Sequence, residues 1–129
     1  MAITKTVLKL THNESYVKVT NDTAGAASVT IGLATDLLRS DETLVGSLDV
    51  RLSTVEYGLG AAGGNIKRNA IDVLEMAPNN HGTFSHDTCN DATQKNQDLV
   101  VTIDKGITII RLLKVAGYQP VKRPEQGVN

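Results

Sequence analysis

Leu99-Val100-Val101-Thr102-Ile103-Asp104-Lys105-Gly106-Ile107-Thr108-Ile109-Ile110-Arg111-Leu112-Leu113-Lys114-Val115 is the stretch that decides the fold class. Leu99, Val101 and Ile103 recur at every second position, the period that puts alternate strand residues on one face. Asp104-Lys105-Gly106 carries turn chemistry between two β-branched runs, so the spacing predicts a β-hairpin. In the return run Ile107, Ile109, Arg111, Leu113 and Val115 oppose Thr108, Ile110, Leu112 and Lys114. Both sets are largely apolar, which places this strand in the middle of a sheet.

The same period runs upstream. Thr4 to Thr11 alternates, His12-Asn13-Glu14-Ser15 supplies a turn, and Tyr16 to Thr20 alternates again with Val17 and Val19 on one side, giving a hairpin. Val29, Ile31 and Leu33 mark another strand after the loop Asn21–Gly25. Ala34 to Val45 reads either as one helical turn capped by Thr35-Asp36 or as a loop carrying Leu37 and Leu38 over the open end of a sandwich. From Ser47 to Tyr57 the inward set changes phase from Leu48, Val50, Leu52 to Val55, Tyr57, which predicts a β-bulge near Ser53-Thr54. Ile66 to Met76 fits a hairpin turning at Asn69-Ala70, or a helix with Ile66, Ala70, Val73 and Leu74 on one face; the β surroundings favour the hairpin. Thr83-Phe84-Ser85 is a short strand, and Asp87 to Gln97 a polar loop. The expectation is an all-β chain: an antiparallel β-sandwich of about eight or nine short strands over residues 1–116, with an extended polar C-terminal arm over 117–129, where Pro120 and Pro124 fall.

Composition narrows the function. At 129 residues the chain is long enough for one domain with its own core. Its one cysteine, Cys89, forms no internal bridge, as in a protein made in a reducing compartment. The opening residues hold no apolar run of signal-peptide length, and no stretch approaches ~18 apolar residues, so no membrane contact is expected. The net charge of -1 speaks against phosphate-backbone binding. The charge is uneven, however. Lys105, Arg111, Lys114, Lys122 and Arg123 against Glu125 make the last stretch cationic and the rest anionic, which suits docking on an acidic partner. With only Phe84, Tyr16, Tyr57 and Tyr118 as rings, no stacking platform for sugars or bases is expected.

Gly58-Leu59-Gly60-Ala61-Ala62-Gly63 matches G-x-G-x-x-G, but no acid-tipped second strand follows about 20 residues on, as a dinucleotide fold requires. A glycine-rich connection explains it, and no cofactor is expected. His81, His86 and Cys89 are able zinc ligands without the paired spacing of zinc sites, and His12 is remote, so no metal is expected. Ser85-His86-Asp87 names a triad, but consecutive strand residues point to opposite faces and cannot converge. Asp41, Glu42, Asp87 and Asp91 fall in loops, where solvation and capping account for them. The chain is expected not to be an enzyme.

These residues also carry a resemblance. Leu10-Thr11-His12-Asn13-Glu14 with Tyr16-Val17-Lys18-Val19 resembles the opening of small virion proteins of tailed phages, especially marine and cyanobacterial ones. Ile66-Lys67-Arg68-Asn69 resembles their Arg-Asn-Gly turn, with Ala70 where the family has glycine. Asp98 to Ile103 and Ile110 to Tyr118 resemble their closing run. The resemblance implies a capsid decoration or cement protein, made in the host cytoplasm and carried on the virion. Such a part binds the outside of a phage head shell, stabilises contacts between coat subunits and acts as a homo-oligomer on the particle. Its partner would be the major capsid protein or another virion protein, met through Tyr118, Gln119, Pro120, Val121, Lys122 and Arg123. Two alternatives share the strand pattern: a self-assembling coat subunit, and a tail-associated or adhesin-type ligand-binding β-module.

Overall fold

A computed structural model describes residues 3–85 and 95–120. The strands are β1 (Ile3–Leu10), β2 (Glu14–Asn21), β3 (Ala27–Ile31), β4 (Glu42–Leu59), β5 (Gly64–Arg68), β6 (Ile71–Met76), β7 (Asn80–Ser85), β8 (Leu99–Ile103) and β9 (Gly106–Pro120). They form a five-stranded sheet in the order β1-β2-β9-β4-β7 and a four-stranded sheet in the order β3-β8-β5-β6. Every pairing is antiparallel. Without β1, the orders 2-9-4-7 and 3-8-5-6 are those of a jelly roll, the double-sheet sandwich that winds two Greek keys together.

The expected hairpin at Asp104-Lys105-Gly106 is corrected. β8 pairs with β3 and β5, while β9 pairs with β2 and β4, so the turn carries the chain from one sheet to the other. The reason lies in burial. Leu99, Val101 and Ile103 on β8 and Thr108, Ile110 and Leu112 on β9 are all buried, and they bury best by facing one another across the sandwich. Gly106 makes the crossing possible: it sits at φ 147°, and a Cβ there would lie 2.1 Å from the Gly58 carbonyl oxygen. As expected, β9 is central in its sheet.

Other expectations settle individually. The β1–β2 hairpin forms, with Val17 and Val19 buried. The bulge appears as a register shift between Leu52 and Thr54 against β9. Residues 33–41 form turns, not a strand or helix, and deliver Leu33 and Leu37 into the core. β5 and β6 make the hairpin, with Asn69 at φ 52° and Ala70 at φ 62°. Two left-handed residues match the twist of the flanking strands, the geometry of a type I′ turn. The arm boundary expected at 117 falls inside β9, which runs through Pro120 opposite Glu42.

The core is the space between the sheets. Val17, Val19, Val50, Leu52, Val55, Ile110 and Leu112 from one meet Ile31, Ile66, Leu74, Leu99, Val101 and Ile103 from the other. Each such side chain contributes about 1.5–3 kcal/mol by leaving water.

Ala70 holds a conformation that costs an L-residue about 1–2 kcal/mol and a glycine nothing. Ala70→Gly is therefore expected to stabilise the chain by about 0.5–1 kcal/mol, after the glycine's greater unfolded-state freedom is subtracted. A denaturant midpoint that stays put or falls would contradict the turn geometry.

Candidate interaction surface

β9 lies between β2 and β4, so its inward residues fill the core, and among the described residues its outward ones have no third layer above them. The outward row is Ile107, Ile109, Arg111, Leu113 and Val115. Ile107 is 39% exposed and Val115 53%, while Ile109 and Leu113 are half-buried. Register sets their neighbours: Lys18 and Glu56 flank Ile109, and Thr20 and Gly58 flank Ile107. Gly58 has no side chain, which leaves a shallow groove of about 330 Å³ lined by Ile107, Ile109, Glu56, Gly58, His81 and Thr83.

Arg111 interrupts the apolar row, but its charge is compensated. Its Nε donates to Glu14 Oε1 at 2.8 Å, and its guanidinium lies 5.8 Å from the centre of the Tyr16 ring. Lys9 donates to the other Glu14 oxygen at 3.0 Å. Hydrogen bonds from Lys9 and Arg111 hold the Glu14 carboxyl below its usual range. At the Val115 end, Leu44 and Val45 are also exposed, where β4 departs from regular register.

The structure separates the residues expected to form an interface. Tyr118 is buried and its hydroxyl donates to the Leu33 carbonyl at 2.6 Å. Burial, then the nearby Glu42 carboxylate, pushes that hydroxyl's pKa upward, so it stays a donor. Gln119 and Pro120 are exposed at the end of β9, opposite Thr43 and Glu42. Val121, Lys122 and Arg123 lie outside the described residues. A truncation beginning at Gly117 would thus remove a core residue, Tyr118.

The glycine motif is a sharp connection between β4 and β5. Gly63 has φ 62°, and a Cβ there would lie 2.5 Å from the Met76 carbonyl oxygen. His81 is on β7 beside the groove, while His86, Asp87, Cys89 and Asp91 lie outside the described residues. Among the described residues no group of three His, Cys, Asp or Glu could hold a metal ion.

Two carboxylates are built into the fold: Asp104, which the sequence placed in a turn, and Glu42, which it left to a loop. Asp104 Oδ1 accepts from the Gly25 amide at 2.7 Å and Oδ2 from the Ala62 amide at 2.8 Å. These amides, with that of Lys105, lower the Asp104 pKa. Glu42 sits at the other end of β9. Its Oε1 accepts from Lys114 Nζ at 2.7 Å and from the Arg39 amide at 2.9 Å, and its Oε2 lies 2.9 Å from His12 Nδ1. Burial alone would raise the Glu42 pKa, but the bonds from Lys114, Arg39 and His12 outweigh it and lower it. Lys114 Nζ also donates to the Thr11 carbonyl and lies 4.4 Å from the centre of the Tyr118 ring.

Because both folded-state pKa values lie below the ordinary carboxylate range, their stabilisation is complete above about pH 4–5. It is lost as pH falls through the lowered values. Acid unfolding is expected to begin below that range, and Asp104→Asn is expected to lower the neutral-pH midpoint and flatten the acid limb. Glu42→Gln should cost about 3–5 kcal/mol by stranding Lys114, while Glu42→Leu with Lys114→Met should recover much of it. Thermal melts across pH check both outcomes.

No family model matches the chain, and no curated protein matches it. Among solved structures it is similar to KdgF from Halomonas sp., at 8% identity and a TM-score of 0.37 over 88% of this chain and 82% of that one. The expectation that this chain is not an enzyme is withdrawn. At that identity and score the likeness carries no activity or ligand to this chain.

Proposed function

We propose that this chain is a virion structural protein, a capsid decoration or cement protein that binds the outside of a phage head shell and strengthens contacts between coat subunits. The observation that carries the reading is the apolar row on the outward face of β9. A central strand that shows Ile107, Ile109, Leu113 and Val115 to solvent, broken only by the paired Arg111, presents an apolar surface of the kind that partners cover. The resemblance at both ends of the chain points the same way. The jelly-roll architecture recurs in capsid proteins, an analogy of fold alone. A part repeated across a lattice needs only weak individual contacts, since linked contacts multiply.

The groove over Gly58 favours a second reading, a ligand-binding β-module of a tail or adhesin. It joins an apolar floor of Ile107 and Ile109 to a polar lip of Glu56, His81 and Thr83.

Particles encoded by the same genome provide the test. Density for the sandwich at repeated coat positions, with the β9 face turned toward the shell, is the expected result. Ile109→Lys should lower occupancy at least tenfold while moving the melting midpoint little, as surface substitutions do. Gly58→Val should act similarly, since a Cβ at Gly58 has room, 3.8 Å from that of His81, and fills the groove. Absence of the chain from purified particles by mass spectrometry would reject the proposal.

A further inference from the structure

Glycine inside a strand weakens it, and it marks places where the chain bends sharply or where a ligand or another backbone comes close. Every other described glycine has a reason in the fold. Each either holds a φ between 62° and 147° or would put a Cβ within 3.2 Å of a neighbour. Gly58 has neither. It lies inside β4 without a positive φ, and the nearest atom to a Cβ there is the Cβ of His81, at 3.8 Å. The fold leaves position 58 free to carry a side chain, and the space that one would fill is the floor of the groove.

The surroundings of that space have one sign of charge. Register sets Ile107 on one side of Gly58 and His81 on the other, and in the next outward row Ile109, Glu56 and Thr83 stand side by side. Glu56 brings the only carboxylate among the lining residues, and no lysine or arginine stands with it. It is exposed, and among the described residues nothing pairs with its carboxylate. Lys18 flanks Ile109 from the far side of β9, two strand spacings or roughly 10 Å away at the backbone.

We infer that the groove binds a small organic cation, a primary alkylammonium whose stem lies over Gly58 between Ile107 and His81 and whose charged head meets Glu56. The inference rests on the second reading, that the groove takes a ligand, and adds the ligand's chemical class. Charge complementarity selects it. An anion would face Glu56 with no lining cation to receive it, and a neutral alcohol would leave the carboxylate without a counter-charge. Ile107 and Ile109 supply apolar contact for the stem, and Thr83, opposite Glu56 in register, brings a hydroxyl acceptor to the end where the head lies. An apolar hollow with a few polar groups that fix orientation is the usual make-up of a small-molecule site, and about 330 Å³ is at the small end of such sites.

The test uses the full chain with labelled isoleucine methyl groups at about pH 8, where a free alkylammonium is charged and a free imidazole is not. Hexylammonium, hexanol and hexanoate are the probes. The Ile107 and Ile109 methyl signals are expected to shift saturably with hexylammonium, at a dissociation constant of about 1 mM. Hexanoate is expected to bind about fivefold more weakly, the scale that an exposed ion pair provides. Glu56→Gln should bring the two probes within about twofold of each other without moving the melting midpoint. Gly58→Val should abolish the shifts with every probe, while Glu75→Gln on the other sheet should leave them unchanged. If hexanol or hexanoate binds as tightly as hexylammonium, or Glu56→Gln leaves the preference intact, the cation assignment is overturned while the groove stays a ligand site. If no probe moves the Ile107 and Ile109 signals, the ligand reading of the groove falls together with it.

Discussion

The fold depends on the carboxylate of Asp104, because three of the chain's crossings between sheets meet there. Asp104 lies in the β8–β9 connection, Gly25 in the β2–β3 connection and Ala62 in the β4–β5 connection, and the last two donate amides to its two oxygens. Asn21 reinforces the junction, its Nδ2 donating to the carbonyls of Gly25 and Ile103. A buried carboxylate without a cation would be costly, but one that accepts several backbone amides is stabilised as the anion. Those amides would otherwise be orphans, since a chain leaving one sheet for the other gives up its ladder partners. At the opposite pole Glu42 joins the β1–β2 turn, the β3–β4 connection and β9 through Lys114. The sandwich is thus tied at both ends by anions, one satisfied by backbone and one by a buried ammonium.

The strands themselves were legible because the period of two survives burial. Val17/Val19, Leu99/Val101/Ile103 and Ile110/Leu112 all point inward as their alternation implies, and even the bulge at Leu52/Thr54 leaves a phase change in the sequence. What alternation does not encode is the partner. Asp104-Lys105-Gly106 has the composition of a hairpin turn, yet it joins two sheets; apolar strands can satisfy one another by facing as well as by pairing. Only the buried side-chain row on β9 that belongs to the core of the other sheet distinguishes the two, and that is a long-range fact. Asn69-Ala70 misled less, because Asn tolerates the left-handed region and the flanking runs are strand-like on both sides.

The candidate surface was half legible. Apolar residues on both faces of Ile107–Val115 correctly placed the strand in mid-sheet. The same pattern did not tell which face would be covered, and none of the described residues covers the outward row. Tyr118 misled in the opposite sense: after Gly117 and before Pro120 it reads as part of a polar arm, but strand pairing with Leu44 carries it into the core. Glu42 and Lys114 gave no local signal, because they are far apart in sequence and become partners only when β4 and β9 pair.

The two sheets divide their labour. On the outside of the four-stranded sheet Ser28 and Thr102 hydrogen-bond to each other at 2.6 Å, and Lys67 faces Asp72, so that face is polar. Its edges are guarded by charge and by Lys5. The five-stranded sheet carries the exposed apolar row and the groove. Placing both on one sheet costs the fold little, because the core needs only the inward residues and the poles are fastened elsewhere. A surface can then vary along β9 and β7 without disturbing the anions at Asp104 and Glu42.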